Sequence, residues 1–339
     1  MRSDALTPGS DALLVADMGG TNARFGVWYQ GELHGEQALK CSDFSGPAAA
    51  ASHFLQQLSA TTPLPKARAA AFAVAGPLLD DRVALTNNGW NFSAAATRRT
   101  LALERLIFLN DFTALALSVP KLAVCDRYQV GGAAPLADAA VAVLGPGTGL
   151  GVSGLMRDGA RWLAIQGEGG HVTLPAVGAR EMAVVAALQR RYAHVSAERV
   201  LCGDGLELLY RTLAKIDGVK VESVEAGEIT QRALGHGAPS PDHTLCLETI
   251  SLFCGWLGNV AGNLALTLGA RGGVYIGGGI VPRLGEYFAT SPFRQKFEAK
   301  GRFAPLLAAI PVYVITAKYP ALIGCVQAFI HSSPRLEAG

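Results

Sequence analysis

Asp17-Met18-Gly19-Gly20-Thr21-Asn22 joins two apolar runs, residues 13–16 and residues 23–28. This pattern predicts a strand, a tight turn and a second strand. Glycine can adopt a positive φ and has no Cβ, so successive backbone N–H groups in such a turn can converge on an anion, and the Thr21 hydroxyl adds another donor. The hexapeptide therefore predicts a phosphate-binding loop, with an ordinary hairpin turn as the alternative.

Asp17 ends the first predicted strand, directly beside this loop. A carboxylate at that place repels a bound phosphate unless a divalent cation lies between the two. The expected ligand is therefore a metal–nucleotide complex. Asp17 is the candidate ligand of that cation, either directly or through a water molecule.

The composition indicates a globular protein with room for two domains, because the chain has 339 residues and half of them are hydrophobic. The net charge is only +2, and no block of Lys and Arg is present that would follow a nucleic-acid backbone or an anionic membrane. We therefore expect neither nucleic acid nor membrane as a partner. The first ten residues lack a signal-peptide core, and no apolar run reaches the roughly 18 residues of a membrane helix, which predicts a cytoplasmic location.

The six cysteines lie far apart in the sequence, and no Cys-x-x-Cys pair occurs. This spacing indicates neither a zinc knuckle nor a disulfide framework. Free buried thiols are the expectation.

Predicted strands alternate with predicted helices along the chain. Buried strands are predicted over residues 67–75 and 105–109, and helices over residues 112–119, 244–268 and 320–330. Such alternation is typical of an α/β fold, in which ligands lie at the carboxyl ends of the strands.

Gly147-Thr148-Gly149 repeats the pattern of the first loop, since an apolar run over residues 141–144 precedes it and another over residues 152–156 follows. Aligning Thr148 with Thr21 gives an offset of 127 residues (from 21 to 148) and superposes strand, Gly-Thr turn and strand. Two related halves are one explanation, and a chance resemblance between two glycine-rich hairpins is the other. In this alignment Leu144 takes the place of Asp17, so only the first loop has its own metal-binding carboxylate.

A third glycine-rich segment, Gly277-Gly278-Gly279, follows a predicted buried strand. Three successive glycines permit a flat group such as a purine to lie against the backbone, which makes Gly278 and Gly279 candidate contacts for such a group. A close approach between this strand and the helix before it explains the same glycines equally well.

Asn110-Asp111 follows directly on the strand predicted over residues 105–109. A carboxylate at the carboxyl end of a strand can accept a hydroxyl proton while the neighbouring amide holds a second hydroxyl. Asp is also a favoured N-cap residue, and a helix is predicted to begin here. Spacing alone leaves the two roles open.

Glu168, His171 and Glu198 form a set of donors and acceptors suited to a polyol, in which each buried hydroxyl needs its own partner. Each residue also has an ordinary explanation. A glutamate in a glycine-rich loop is often a solvated turn residue, a single histidine is usually structural, and Glu198 suits the first turn of a helix.

Six motifs together resemble those of the bacterial glucokinases, ATP-dependent sugar kinases of the hexokinase-like group. The resemblance runs from about residue 13 to about residue 330, in the family's order. Any one motif is shared with the wider sugar-kinase, Hsp70 and actin superfamily, whereas all six together are specific. The motifs are Asp17-Met18-Gly19-Gly20-Thr21-Asn22-Ala23-Arg24, Leu109-Asn110-Asp111-Phe112-Thr113-Ala114, Gly147-Thr148-Gly149-Leu150-Gly151, Gly167-Glu168-Gly169-Gly170-His171-Val172, His194-Val195-Ser196-Ala197-Glu198-Arg199-Val200-Leu201 and Gly277-Gly278-Gly279-Ile280-Val281-Pro282-Arg283.

The resemblance implies a two-domain α/β fold of the ribonuclease-H-like, actin- and hexokinase-type class, with glucose and Mg-ATP bound in a cleft between the lobes. The implied smaller lobe comprises residues 12–121 and 312–335, and the larger lobe comprises residues 122–311. Residues 1–11 would be a flexible N-terminal extension.

The resemblance further implies transfer of the ATP γ-phosphoryl group to the 6-hydroxyl of D-glucose, the entry step of glycolysis, with Asp111 as the general base. The implied sugar ligands are Asn110, Asp111, Glu168, His171, Glu198 and Asn87. The implied nucleotide contacts are Ala16, Asp17, Met18, Gly19, Gly20, Thr21, Gly147, Thr148, Gly149, Gly278 and Gly279.

The family resemblance also implies a homodimer. No zinc is expected, because the related ROK sugar kinases carry a zinc-binding cysteine cluster near their Glu-x-x-His motif and nothing like it occurs in this sequence.

Two other classes of protein share parts of this pattern. One is a sugar-responsive regulator that uses the site as a sensor. The other is an actin- or Hsp70-like ATPase, which would hydrolyse ATP without sugar and would leave Glu168, His171 and Glu198 without a role.

Overall fold

The computed structural model describes residues 11–76, 78–79, 81–85, 89–236 and 239–332. The chain divides into two compact units. The first unit comprises the chain up to residue 122, residues 161–164 and the chain from residue 317. The second unit comprises residues 123–160 and 165–316.

Strands and helices alternate through most of the described chain. The strands are β1 (Leu13–Met18), β2 (Asn22–Tyr29), β3 (Glu32–Lys40), β4 (Ala69–Val74), β5 (Leu78–Leu79), β6 (Arg82–Ala84), β7 (Asn91–Ser93), β8 (Arg105–Asn110), β9 (Arg127–Gln129), β10 (Val141–Pro146), β11 (Leu150–Asp158), β12 (Arg161–Gly167), β13 (Val274–Ile276) and β14 (Val312–Ile315). The α-helices are α1 (Pro47–Thr61), α2 (Ala94–Thr100), α3 (Asp111–Ser118), α4 (Ala179–Gln189), α5 (Gly203–Ile216), α6 (Ala226–Ala233), α7 (His243–Leu268), α8 (Glu286–Thr290), α9 (Phe293–Glu298), α10 (Ala304–Ala309) and α11 (Pro320–His331).

The first unit is built on a five-stranded sheet in the order β3-β2-β1-β4-β8. The predicted strand–turn–strand at its centre is confirmed, because β1 pairs antiparallel with β2. β1 also pairs parallel with β4, and β4 pairs parallel with β8. Met18, Val74 and Asn110 are register partners across these three strands. The carboxyl ends of β1, β4 and β8 therefore meet at one edge of the sheet.

The second unit is built on a six-stranded sheet in the order β12-β11-β10-β13-β14-β9. β10 pairs antiparallel with β11 and parallel with β13, as β1 does with β2 and β4. The order β12-β11-β10-β13-β14 thus repeats the order β3-β2-β1-β4-β8. This shared topology supports two related halves over a chance resemblance of two hairpins, and the predicted α/β fold class is confirmed.

Two predicted helices appear almost within their predicted bounds, as α7 (His243–Leu268) and α11 (Pro320–His331). By length and composition α7 is the one helix of the described residues able to cross a bilayer. However, 72% of its most apolar window is buried inside the protein, and Phe253, Trp256 and Leu257 are fully buried in the core of the second unit. We therefore interpret α7 as a core helix.

The last part of the chain contributes to both units. β14 lies between β13 and β9 in the six-stranded sheet, and the second unit extends to residue 316. α11 instead packs against α3 in the first unit. The family resemblance implied that all of residues 312–335 belong to the smaller lobe, whereas the pairing of β14 with β13 and β9 places residues 312–316 in the second unit.

Candidate active site

The loop between β1 and β2 is closed by a hydrogen bond from the Gly19 N–H to the Asn22 carbonyl at 3.0 Å. A second bond, from the Cys41 N–H to the Thr21 carbonyl at 2.9 Å, fixes the loop to the chain after β3. Neither Gly19 nor Gly20 has a positive φ. The prediction that these glycines are needed for a left-handed backbone conformation is therefore wrong. Their lack of a side chain is what remains useful, since it leaves the loop backbone uncovered.

Ala16 and Met18, two further predicted nucleotide contacts, lie within β1 and are fully buried. Their side chains pack in the core of the first unit. Any contact with a nucleotide from these two positions must therefore be made by backbone.

Asp17 forms an ion pair with Arg24, in which Nη1 donates to Oδ2 at 3.0 Å. The two residues face each other across the β1–β2 hairpin. Burial raises the pKa of the Asp17 carboxyl, and the guanidinium of Arg24 offsets part of that rise. The guanidinium of Arg24 is thus a cation beside the carboxylate, in addition to the divalent metal predicted from the sequence.

Replacing Arg24 with Gln should destabilise the protein more at pH 8 than at pH 5. A carboxyl whose pKa is raised by folding costs stability as the pH rises from the unfolded pKa through the folded pKa, and Arg24 reduces that cost. We expect the variant to lose about 1–2 kcal/mol at pH 8, a value discounted because Arg24 is partly exposed to solvent. Urea unfolding at the two pH values measures the loss. In the matched Asp17→Asn, Arg24→Gln double variant the pH dependence of the stability loss should vanish, because no carboxyl remains to titrate. If Arg24→Gln lost the same free energy of unfolding at both pH values, Arg24 would not stabilise the charged form of Asp17.

Asn110 and Asp111 lie at the junction between β8 and α3, where the sequence analysis left two roles open. The N-cap of α3 is Asn110, whose Oδ1 accepts hydrogen bonds from the N–H groups of Phe112 at 2.9 Å and Thr113 at 3.1 Å. Asp111 is the first residue of the helix, and its own Oδ1 also accepts from the Phe112 N–H at 2.9 Å. Asn110 is therefore the helix cap, and Asp111 adds a second acceptor for the Phe112 N–H. Since the Asn110 oxygen is engaged, its amino group is the part suited to a ligand hydroxyl.

The second loop, Gly147-Thr148-Gly149, lies at the carboxyl end of β10. The Gly147 N–H donates to the Gly149 carbonyl at 2.8 Å, and the Gly147 carbonyl accepts from the N–H of Gly203 at 2.9 Å. Gly203 is the first residue of α5. The loop is thus tied to the N-terminus of a 14-residue helix, where the helix dipole favours an anion.

The glycine bend at residues 277–279 lies against this loop. Gly278 has a φ of 79°, and a Cβ on it would lie 2.2 Å from the Pro146 carbonyl oxygen. A close backbone approach therefore explains Gly278, but the partner is β10 and not the preceding helix. Gly279 is exposed, and a Cβ there would meet nothing within 4 Å. A side chain could therefore be accommodated at Gly279 but not at Gly278.

The predicted sugar ligands Glu168, His171 and Glu198 are brought together in the second unit. His171 Nδ1 lies 3.9 Å from Glu198 Oε1, and the Glu168 carbonyl accepts from the His171 N–H at 3.0 Å. Glu168 and His171 are exposed, whereas Glu198 is half-buried. A carboxylate acceptor beside an imidazole, with a second carboxylate one turn away, suits a ligand rich in hydroxyl groups.

A cavity of about 400 Å³ lies in the second unit between α5, α6 and the chain after the glycine bend. Its size falls within the range of small-molecule sites. The cavity has an apolar wall, polar side chains and one cation. Its lining residues are Leu206, Ala226, Gly227, Thr230, Gln231, Leu234, His236, Ile280 and Arg283.

Three predictions concern residues or groups away from these contacts. Asn87, the sixth predicted sugar ligand, lies outside the described residues. Within the described part of the chain, no group of three or more His, Cys, Asp or Glu side chains is placed to hold a metal ion. The six cysteines are free thiols as predicted, and all are buried except Cys125, which is exposed.

Sequence reasoning missed two contacts that the structure shows. Arg24 was not recognised as the partner of Asp17, although oppositely charged residues facing each other across a hairpin are a recognisable signal once the register is known. The hydrogen bond from the Leu150 N–H to the Glu198 carboxylate, at 2.8 Å, joins positions far apart in sequence and has no local signal.

Comparison with known proteins assigns the family. A family model described as Glucokinase matches residues 14–332. A glucokinase of Neisseria meningitidis serogroup B is 49% identical over 316 residues, which cover 93% of this chain and 94% of that protein. The chain belongs to the glucokinase family. A glucokinase of Aromatoleum aromaticum is 48% identical over 321 residues, covering 93% of each chain.

Solved structures of glucokinases support the same assignment. The crystal structure of a glucokinase from an Antarctic psychrotroph has a TM-score of 0.83 at 32% identity and covers 95% of this chain and 100% of that one. A ROK-family glucokinase from Streptomyces griseus, solved with glucose and AMPPNP, has a TM-score of 0.61 at 17% identity, covers 94% of this chain and 98% of that one, and shares the fold. The resemblance stated from the six motifs is confirmed, as is the actin- and hexokinase-type fold class. As a glucokinase-family member the chain is an enzyme that phosphorylates glucose, and the family implies ATP as its donor.

Proposed function

We propose that the chain transfers the γ-phosphoryl group of ATP to the 6-hydroxyl of D-glucose, with Asp111 as the general base. The 6-oxygen attacks the γ-phosphorus, the bond to the bridging oxygen of ADP breaks, and Asp111 accepts the hydroxyl proton. The observation that carries this role is the place of Asp111 at the carboxyl end of β8, as the first residue of α3, directly after Asn110, whose Oδ1 caps the helix through the N–H groups of Phe112 and Thr113.

A carboxylate at a helix N-terminus is a weak base, because the helix dipole stabilises its charged form. Phosphoryl transfer tolerates this weakness. Its transition state is commonly loose, so positioning and charge neutralisation contribute more than early removal of the proton. Asp111 therefore acts mainly by orienting the 6-hydroxyl and accepting its proton late.

The family resemblance implies Asn110, Asp111, Glu168, His171 and Glu198 as the ligands of the sugar hydroxyls. The cluster of Glu198 and His171 supports this assignment, since the two side chains present a carboxylate and an imidazole 3.9 Å apart. A sugar that lacks one of the matching hydroxyls loses a hydrogen bond at this site and should bind more weakly.

The family resemblance implies both glycine loops as nucleotide contacts. Within the second unit, the cavity of about 400 Å³ beside the glycine bend has a size that suits a nucleoside. The loop at residues 19–21 and the loop at residues 147–149 offer uncovered backbone for the phosphates. The open position at Gly279 and the apolar wall at Ile280 suit a purine and its ribose.

Magnesium fits this site as part of the nucleotide complex. Mg²⁺ keeps several water ligands and is usually held by one or two carboxylates together with substrate phosphates. Asp17 provides one carboxylate, and its pairing with Arg24 through Oδ2 favours a contact with the metal through water. When bound, the metal neutralises phosphate charge during transfer.

The family resemblance also predicts a homodimer, and the apolar pattern of the sequence predicts a cytoplasmic location. Size-exclusion chromatography with light scattering tests the first of these. A monomer at micromolar concentration would contradict the predicted dimer.

The release of ADP should require both glucose and Mg²⁺. A coupled ADP-release assay over glucose, mannose, fructose, N-acetylglucosamine and no sugar, each with and without Mg²⁺, measures this dependence. We expect glucose-dependent release that falls to background when EDTA removes the metal. Sugar-independent release would favour the ATPase alternative, and glucose binding without release would favour the regulator; either result would contradict the proposal.

A further inference from the structure

The carboxylate of Glu198 has two different neighbours in the second unit. Oε1 faces the His171 ring at 3.9 Å, on the side of the predicted sugar ligands. Oε2 accepts a hydrogen bond from the backbone N–H of Leu150 at 2.8 Å. Leu150 directly follows the loop Gly147-Thr148-Gly149. One side chain therefore contacts both the sugar cluster and the chain of the second phosphate loop.

The segments around Glu198 leave no free space between these two contacts. A Cβ on Gly149 would lie 2.5 Å from Glu198 Oε2, and a Cβ on Gly170 would lie 2.2 Å from the Leu150 carbonyl oxygen. The Glu198 N–H donates to the Gly170 carbonyl at 2.8 Å. Three segments are thus in direct contact: the phosphate loop, the sugar loop at residues 168–171 and the segment around Glu198. A shift of one displaces the others.

The Leu150 N–H depends on Glu198 for its hydrogen bond. Leu150 is buried, and a buried N–H without an acceptor is costly, so loss of the carboxylate favours a different conformation of the loop. A hydrogen bond to a charged acceptor is also stronger than one between neutral groups. The conformation that presents the loop backbone to a phosphate is therefore held in part by Glu198.

We infer that Glu198 is a positioning residue for the nucleotide, acting through the Leu150 N–H, in addition to its proposed role as a sugar ligand. The inference rests on the proposed function. It means that the affinity for nucleotide depends on Glu198 even when no sugar is present. A residue that only bound sugar would have no such effect.

The test is the affinity for Mg-AMPPNP in the absence of sugar, measured by isothermal titration calorimetry. Glu198→Ala should raise the Kd at least tenfold, because the Leu150 N–H loses its acceptor. Glu198→Gln should stay within about threefold of wild type, because the amide oxygen accepts the same hydrogen bond. Glu168→Ala is the matched control, as a proposed sugar ligand with no bond to the phosphate loop, and its sugar-free Kd for Mg-AMPPNP should equal that of wild type.

A reciprocal variant keeps the inference testable if Glu198→Ala does not fold. Gly149→Ala places a methyl group 2.5 Å from Glu198 Oε2 and displaces the carboxylate. Although Gly149 is not a sugar ligand, glucose affinity without nucleotide should fall at least fivefold. Gly203→Ala is the control, because its added Cβ meets only the Gly147 carbonyl oxygen at 3.8 Å, an ordinary contact.

The outcomes separate the inference from the proposed function. Wild-type Mg-AMPPNP affinity in Glu198→Ala, or wild-type glucose affinity in Gly149→Ala, would overturn the inference and leave the proposed function intact. A wild-type chain that binds no Mg-AMPPNP would overturn the proposed function, and the inference with it.

Discussion

Asp111→Asn should lower kcat by about 10²–10⁴-fold, the range that a positioned general base contributes. The amide has nearly the same shape as the carboxylate and still binds a hydroxyl, so the Kd for glucose should change by no more than a few fold. Backbone geometry at the start of α3 should survive, because Asn110 and not Asp111 is the N-cap. Coupled ADP release measures kcat, and calorimetry measures glucose binding.

Glu104→Gln provides the matched control for this substitution. It makes the same change from carboxylate to amide at the amino end of β8, the opposite end of the strand that leads to Asp111. Glu104 forms a surface ion pair with Arg68, and its side chain is 47% exposed. Because exposed ion pairs contribute little to stability, the variant should lose little free energy of unfolding. We expect kcat within twofold of wild type for Glu104→Gln. If Asp111→Asn kept more than a tenth of wild-type kcat, Asp111 would not be the base.

Features encoded by short stretches of sequence could be predicted well. The apolar runs on both sides of Asp17-Met18-Gly19-Gly20-Thr21-Asn22 are sufficient for a hairpin, because alternation and turn residues are local signals. The helix predicted over residues 320–330 is confirmed as α11, because its signals are local as well. The offset between the two glycine loops also indicated the related halves before any strand order was known.

Features that depend on contacts between residues far apart in sequence, or on the exact position of single atoms, could not be predicted. β9 pairs with β14 across most of the second unit's sequence, and no local pattern specifies that partner. The choice of Asn110 over Asp111 as helix cap depends on a shift of one residue, which spacing does not resolve. Gly278 is explained by the Pro146 carbonyl oxygen next to it, a contact visible only when β10 and β13 are placed side by side.

The duplicated sheets also explain why the two phosphate loops differ chemically. Each loop follows the central strand of its sheet, β1 or β10, at the carboxyl end where ligands of α/β proteins lie. The first loop has the partly buried Asp17–Arg24 pair behind it, whereas Leu144 occupies the equivalent position behind the second loop. The second loop instead receives its charged neighbour from outside its own hairpin, through the Leu150 N–H and Glu198. The two loops therefore share a backbone arrangement but differ in the charged side chain beside them, Asp17 paired with Arg24 in one half and Glu198 in the other.

Gly324→Ala should destabilise the protein by about 2 kcal/mol or more and should also reduce kcat. Gly324 lies in α11, and a Cβ on it would lie 1.7 Å from the carbonyl oxygen of Ala114 in α3. Backbone cannot yield to such an overlap without separating the two helices, and overpacking of this kind outweighs the gain of about 1 kcal/mol in helix propensity. Because α3 begins at Asp111, its displacement moves the proposed base, and kcat should fall at least tenfold. Urea unfolding and the coupled assay measure the two effects.

Gly227→Ala isolates the cause of this expected loss. It makes the same change in another helix, α6, where a Cβ would meet nothing within 4 Å. The helix-propensity gain should then appear alone, so Gly227→Ala should leave stability unchanged or raise it by up to about 1 kcal/mol. If Gly324→Ala behaved like Gly227→Ala, α11 would not be packed directly on the backbone of α3. The position of Asp111 would then be set by β8 alone, and the carboxyl-terminal helix would have no part in placing the proposed base.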